Sequence, residues 1–232
     1  MDNQRLKVID NKCLKMVDNK RSKVGIMGGT FDPIHIGHLI LGENAYHQFK
    51  LDKVLYMPSG NPPHKQERKG RASVEERTKM TALAIADNPH FELCTLEAGR
   101  TGFSYTSDTL RELATRNPNT EYYFIMGADS LYQFENWWRP QQICDLCTIL
   151  VAVREDISKV QMENQLKSQI EQQMEKLKQM YNGRFLKLEI PNINISSDEL
   201  RKHIAAGHSL RYYMPEIVAD YINQNSLYKE RE

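Results

Sequence analysis

The sequence predicts an α/β protein built on a doubly wound parallel sheet of about five strands, with helices on both faces. Three observations carry this. Short apolar runs alternate with longer amphipathic stretches along most of the chain. The runs are apolar throughout, as strands covered on both sides are. The first of them, residues 24–27, ends in Gly28-Gly29 directly ahead of a helix start, the junction at which such folds hold phosphate.

That junction is the most informative stretch. Gly28-Gly29 suits positive φ and close approach of the backbone to a ligand. Asp32 reads as an N-cap and Pro33 as the first helical residue, where a missing N–H costs nothing. The helix then begins at about Pro33, with its unpaired N–H groups and positive dipole end facing the space above the strand. His35 and His38 lie three apart in its first turn, so they share a face and aim at one anion, as proton donors or as stabilisers of developing charge. Incidental histidines are the bland alternative, but glycines, cap, proline and both histidines fall in one short run. A metal pair is disfavoured: zinc helices space their histidines four apart with a glutamate beside them, and no third ligand is near.

The chain has 232 residues, 40% of them hydrophobic, enough for a substantial core and most simply one domain, residues 23–232. Thirty-one basic and 30 acidic residues leave a net charge of +1, so no overall field favours nucleic acid and a small partner is expected. No apolar run is long enough to span a bilayer and the first residues lack a signal-peptide core, so no membrane partner and a cytoplasmic location are expected. Residues 1–22, rich in Lys, Asn and Asp, carry a two-copy repeat of period eight and read as a frayed, flexible extension. Four cysteines make no disulfide framework in a chain of this length; Cys144 and Cys147 interleave with Ile143 and Leu146 and read as core packing.

After the histidine helix, residues 54–57 form the second strand. Its exit loop, Pro58-Ser59-Gly60-Asn61-Pro62-Pro63-His64-Lys65, is stiffened by prolines and ends in a cationic pair at the carboxyl edge of the sheet. Ser73 with Glu76 is a capping box opening a helix to about Ala86. Residues 91–94 are the third strand, and Ser104-Tyr105-Thr106 presents hydroxyls where the next helix starts. Residues 122–126 are the fourth strand, broken at Gly127-Ala128-Asp129. Asp129 suits ribose hydroxyls or caps the next helix, and the residues alone leave both readings open. Of the adjacent Trp137 and Trp138, neighbours on a helix, one ring can pack in the core while the other faces a pocket and stacks on a flat heteroaromatic ring. Residues 148–153 are the fifth strand, a helix runs from Ile157 to about Tyr181, and residues 185–190 form a final alternating strand. Ser196 with Glu199 is a further capping box. Two hydroxyls, free N–H groups and Arg201 one turn on make a second anion site, suited to the distal phosphates of a nucleotide. Residues 207–228 then read as a packed helix opened by Met214-Pro215. No Walker loop is present, which argues against a P-loop kinase.

Gly28-Gly29-Thr30-Phe31-Asp32-Pro33-Ile34-His35-Ile36-Gly37-His38, taken with Ile195-Ser196-Ser197-Asp198-Glu199-Leu200-Arg201, resembles the HxGH nucleotidyltransferase superfamily, a Rossmann-like fold. More narrowly it is similar to the bacterial nicotinate-nucleotide adenylyltransferases. That likeness spans about residues 23–228 and takes in Asn61-Pro62-Pro63-His64-Lys65, Ser104-Tyr105-Thr106, Gly127-Ala128-Asp129 and Trp137. The resemblance implies adenylyl transfer from ATP to nicotinate mononucleotide, giving deamido-NAD and pyrophosphate, with Mg²⁺ carried mainly on the phosphates and no metal ligands from the protein. It further implies that Gly29, Thr30, His35 and His38 hold the reacting phosphates, with the two histidines catalytic. By the same carry-over Ser196, Ser197 and Arg201 hold the leaving β and γ groups, Asp129 contacts the ATP ribose, and Lys65, Tyr105, Thr106 and Trp137 line the mononucleotide pocket. Homo-oligomerisation is left open. Asp198 stands where that family more often has threonine. The rivals are an HxGH adenylyltransferase for nicotinamide mononucleotide or phosphopantetheine, a class I aminoacyl-tRNA synthetase fragment, whose lysine-rich loop is missing, and a catalytically silent nucleotide-binding regulator.

Overall fold

The computed structural model describes residues 21–61, 70–155 and 160–229. Nearly all of the extension at residues 1–22, the loop residue Lys65 and the expected start of the long helix at Ile157 lie outside the described residues. Of residues 154, 155 and 160–168 only the backbone is described.

The elements run β1 (Ser22–Gly29), α1 (Ile36–Phe49), β2 (Lys53–Pro58), α2 (Val74–Ala84), β3 (Phe91–Leu93), α3 (Thr106–Arg116), β4 (Thr120–Gly127), α4 (Ala128–Gln133), a 3₁₀ turn (Phe134–Asn136), α5 (Pro140–Leu146), β5 (Cys147–Glu155), α6 (Val160–Tyr181), β6 (Arg184–Pro191), α7 (Ser197–Ala205) and α8 (Glu216–Gln224). The six strands form one sheet in the order β3-β2-β1-β4-β5-β6, with every pairing parallel. The expectation of about five strands falls one short: β6 pairs with β5 along its whole length, from Thr148–Arg184 to Glu155–Pro191.

Strand alternation sorts the core into two layers. Val24 and Ile26 of β1, Leu55 and Met57 of β2, and Tyr122 and Phe124 of β4 pack on one face with Leu110, Phe134, Ile143 and Leu177. Met27, Val54, Tyr56, Tyr123 and Ile125 point to the other, with Ala45, Met80, Leu200 and Val218. Both layers are water-excluded, which is why the strands read as unbroken apolar runs. Helices α1, α2, α7 and α8 therefore cover one face and α3 to α6 the other, as double winding requires. β6 shares its side chains between the layers, with Phe185 in one and Leu188 in the other.

Local rules set most boundaries. Ser73 accepts from Glu76 N at 3.1 Å while the Glu76 carboxylate accepts from Ser73 N at 2.7 Å, the reciprocal capping box that opens α2. Arg139 takes a left-handed conformation before Pro140, the first residue of α5. Cys144 and Cys147 are buried in the core as expected, and Cys147 Sγ donates to Ile143 O at 3.2 Å. Burial pushes the Cys144 thiol up to about 12 and that of Cys147 higher still, so neither carries thiolate character at neutral pH.

Candidate active site

In this strand order the winding reverses between β1 and β4, and ligands bind such sheets outside the carboxyl ends of the strands at that reversal. The structure has a cleft of about 1150 Å³ there. Its walls come from the β1 end and the start of α1 (Gly28, His35, His38), the β4–α4 junction (Gly127, Asp129) and the approach to α7 (Ile195, Ser196, Ser197). Three helices thus begin at its edge, with their positive dipole ends where negative charge is favoured, but the first turn of α1 is not the set of unpaired donors the sequence reading expected: Ile36 N donates to Tyr213 O at 2.8 Å and His38 N to His35 O at 2.9 Å.

The β1–α1 turn differs from its sequence reading in two respects. α1 begins at Ile36 and its N-cap is His35, not Asp32. Asp32 is 2% exposed and its carboxylate serves remote segments instead, accepting from Ala72 N at 3.1 Å and from the Tyr228 hydroxyl at 2.7 Å. Positive φ falls on Phe31, at 49°, and not on Gly28 or Gly29. Phe31 is held there by its surroundings: the ring is 2% exposed and packs edge-on to His38 at 5.1 Å and against Tyr56 at 5.9 Å.

His35 and His38 are brought together as expected. Their rings stack with centroids 3.8 Å apart, and His35 N donates to His38 Nδ1 at 3.2 Å. An Nδ1 that accepts has no proton, so neutral His38 carries its proton on Nε2. His35 is 6% exposed, and burial lowers its pKa to about 4. It is a neutral imidazole at pH 7, able to donate a hydrogen bond to phosphate without the cost of burying a charge.

Gly29 and Thr30 sit on the turn itself, their carbonyls fixed rather than free: Gly29 O accepts from Ser59 N at 2.8 Å and Thr30 O from Arg77 Nη1 at 2.6 Å. Arg77 Nη2 also reaches Ser59 O at 2.8 Å, so one guanidinium, 4% exposed, ties the β1–α1 turn to the exit loop of β2. Sequence reasoning missed Arg77, since a buried arginine one turn into a capped helix looks like any surface one.

Ser196 is the N-cap of α7, accepting from Glu199 N at 3.2 Å and donating to the Glu199 carboxylate at 3.0 Å. Ser197 Oγ donates to Pro33 O at 2.9 Å, which docks α7 directly onto the β1–α1 turn. Arg201 does not line the cleft. Its Nη1 donates to Asp32 O at 2.6 Å and its Nη2 pairs with Asp198, which is on the wall. The two expected anion sites are therefore neighbours in contact.

Asp129 lies in the first turn of α4, behind Gly127 as N-cap, and faces the cleft, so it does not cap that helix. Trp137 also lines the cleft while resting on Phe124 at 5.9 Å and Phe134 at 5.6 Å. The tryptophan pair follows the 3₁₀ turn rather than lying on a helix, and Trp138 turns outward, 50% exposed, with Tyr105 at 5.5 Å. Tyr105 is the N-cap of α3 and Thr106 its first residue; neither lines the cleft, but the adjacent Ser104 N donates to Asn61 O at 3.0 Å, which joins this segment to the β2 exit loop.

Fold and site together define a nucleotide-binding α/β protein: the cleft is at the winding reversal, edged by helix N-termini and paired histidines. A family model described as "Cytidylyltransferase-like" matches residues 26–203. The "Probable nicotinate-nucleotide adenylyltransferase" of Thermoanaerobacter sp. (strain X514) is 38% identical over 211 residues, covering 90% of this chain and 96% of the relative. That of Lachnoclostridium phytofermentans is 41% identical over 206 residues, covering 89% and 98%. Among solved structures, Plasmodium falciparum nicotinic acid mononucleotide adenylyltransferase complexed with NaAD shares the fold at a TM-score of 0.69 and 19% identity, over 89% of this chain and 97% of the other. The chain belongs to the cytidylyltransferase-like family and, within it, to the nicotinate-nucleotide adenylyltransferases.

Proposed function

We propose that the protein transfers the adenylyl group of ATP to nicotinate mononucleotide. An oxygen of the mononucleotide 5′-phosphate attacks the α-phosphorus, the bond from that phosphorus to the β-phosphate bridge oxygen breaks, and deamido-NAD and pyrophosphate result. The observation that carries this is that His35, His38, Ser196 and Ser197, drawn from opposite ends of the sequence, line one cleft at the winding reversal. The relatives at 38% and 41% identity carry the name of this activity.

The work is positioning and charge stabilisation, with no covalent nucleophile. The stacked imidazoles act on the reacting phosphates: neutral His35 donates a hydrogen bond, and His38 presents its Nε2 proton to the charge that grows on the transferring group. The first turn of α7, with Ser196 and Ser197, takes the leaving pyrophosphate, and Arg201 follows once it turns from Asp198. Asp129 meets the ribose. Trp137 takes the mononucleotide side from within the cleft, and Tyr105 and Thr106, outside its lining, join it there with Lys65 on the strength of the family resemblance alone. Among the described residues no group of three or more His, Cys, Asp or Glu is arranged for a metal, and the cleft wall has two acidic side chains, Asp129 and Asp198. That sparse set fits Mg²⁺, which keeps its waters and binds through one or two carboxylates plus substrate phosphates. Bound there, the ion would neutralise phosphate charge. No helix of the described residues is long and apolar enough to cross a membrane.

The test is pyrophosphate release with ATP, Mg²⁺ and, in separate reactions, nicotinate mononucleotide, nicotinamide mononucleotide and phosphopantetheine. Release with nicotinate mononucleotide is expected to dominate. Release with phosphopantetheine alone would reassign the substrate, and none with any acceptor would leave a silent nucleotide binder.

A further inference from the structure

Beneath the β1–α1 turn lies a cluster of which the mechanism uses only Arg201. The Asp32 carboxylate is at its centre, 2% exposed. One oxygen, Oδ1, accepts from the Tyr228 hydroxyl at 2.7 Å and from Ala72 N at 3.1 Å. The other, Oδ2, has no hydrogen-bond partner among the described residues, although Arg201 Nη1 is 3.7 Å away and Arg71 Nε 3.8 Å away. Arg201 instead spends Nη1 on the Asp32 carbonyl. A guanidinium beside a buried carboxylate ordinarily forks onto both its oxygens. Here Tyr228, 196 residues along the chain, occupies the oxygen that the fork would need. Tyr228 is held for this at φ 62°, a left-handed conformation costly for a bulky residue and one that surrounding structure must impose.

We propose that Tyr228 is a positioning residue for ATP: by holding Asp32 Oδ1 it keeps Arg201 from a two-pronged pair with the buried carboxylate, and so leaves the guanidinium on the Asp32 carbonyl and the exposed Asp198, contacts that it can exchange for the triphosphate. This rests on the reading of Arg201 as a phosphate-binding residue. Without the hydroxyl, Oδ1 keeps only Ala72 N, and Arg201, already 3.7 Å from Oδ2, closes into a two-pronged ion pair with the under-bonded carboxylate. The arginine is then withheld from ATP while the mononucleotide side is untouched.

The experiment compares the full chain with Tyr228→Phe, Arg201→Ala and the double variant, measuring KM for ATP and for nicotinate mononucleotide by pyrophosphate release, with a urea titration of each. Phenylalanine fills the same volume, and equilibrium binding of ATP by calorimetry, referred to the folded fraction from the titration, covers any loss of stability. Expected is a rise in the ATP KM of roughly tenfold for Tyr228→Phe, the size of a lost charge-assisted contact. The mononucleotide KM stays unchanged, and the double variant is no worse than Arg201→Ala. A purely structural role would lower stability while moving both KM values together or neither, and that result overturns the proposal, as do effects of the two substitutions that multiply. If Arg201→Ala leaves the ATP KM at the wild-type value in an active enzyme, the assignment of Arg201 fails and the proposal with it, while adenylyl transfer stands; if the wild type releases no pyrophosphate, the functional reading itself has failed.

Discussion

The imidazole of His35 lies on that of His38 with planes 30° from parallel and centroids 3.8 Å apart, while the backbone N–H of the first donates to Nδ1 of the second. Burial keeps His35 neutral, and Nδ1 of His38 is occupied as an acceptor, so the pair meets a phosphate as a hydrogen-bonding surface.

Replacing His35 by alanine should leave a folded protein that has lost about 10²–10³ in turnover, the usual size for a missing transition-state donor. Single-turnover pyrophosphate release checks this, and near-normal turnover contradicts the role.

Acid should weaken the fold through the same residue. Burial holds the folded pKa of His35 at about 4, below its ordinary 6.5, so as pH falls the unfolded chain takes up the proton first. The stability contribution is complete above pH 6.5 and is lost as pH falls toward 4, by up to about 3 kcal/mol. Urea titrations at pH 7 and pH 4.5 should show a steeper loss for the wild type than for His35→Gln.

Arg77→Met should cost about 2–4 kcal/mol, because the buried Ser59 and the half-buried Thr30 both lose the guanidinium that their carbonyls accept from. Turnover should fall as well, since the β1–α1 turn and the β2 exit loop lose the group that fixes their spacing. Denaturation midpoints together with kcat measure both effects.

Cys144 and Cys147 should resist alkylation in the native protein and react only once it is unfolded, given burial and raised thiol pKa values. Mass mapping after iodoacetamide treatment decides it; rapid native labelling of either would revive a redox or metal reading of the pair.

The sheet was legible because its rules are local. Apolar runs bounded by Gly, Pro and capping serines name strands and helix starts without reference to anything distant, as Ser73 and Glu76 do. The run of residues 28–38 was legible for the same reason. What escaped were long-range commitments. Asp32 before Pro33 looks like a cap, and nothing nearby reveals that its carboxylate answers to Ala72 and Tyr228. Arg77 was invisible because burial of a charge depends on carbonyls 18 and 47 residues away. Arg201 was expected at the second anion site, but its engagement with Asp32 and Asp198, away from the cleft lining, depends on how α7 docks. The short helix α5 went unread, and α4 was expected only as a helix of unstated extent after Asp129, because seven residues or fewer hold too little periodicity to register.

The cleft is lined by residues 27–41 and, docked beside them through Ser197 and Pro33, by residues 190–198. A ribosome that has delivered only the first four strands has thus made a nascent chain that contains both histidines but not the serines of α7 that complete the cleft. Such a chain cannot trap a nucleotide, and the enzyme comes into being late in its own synthesis, when α7 arrives and Ser197 closes on Pro33.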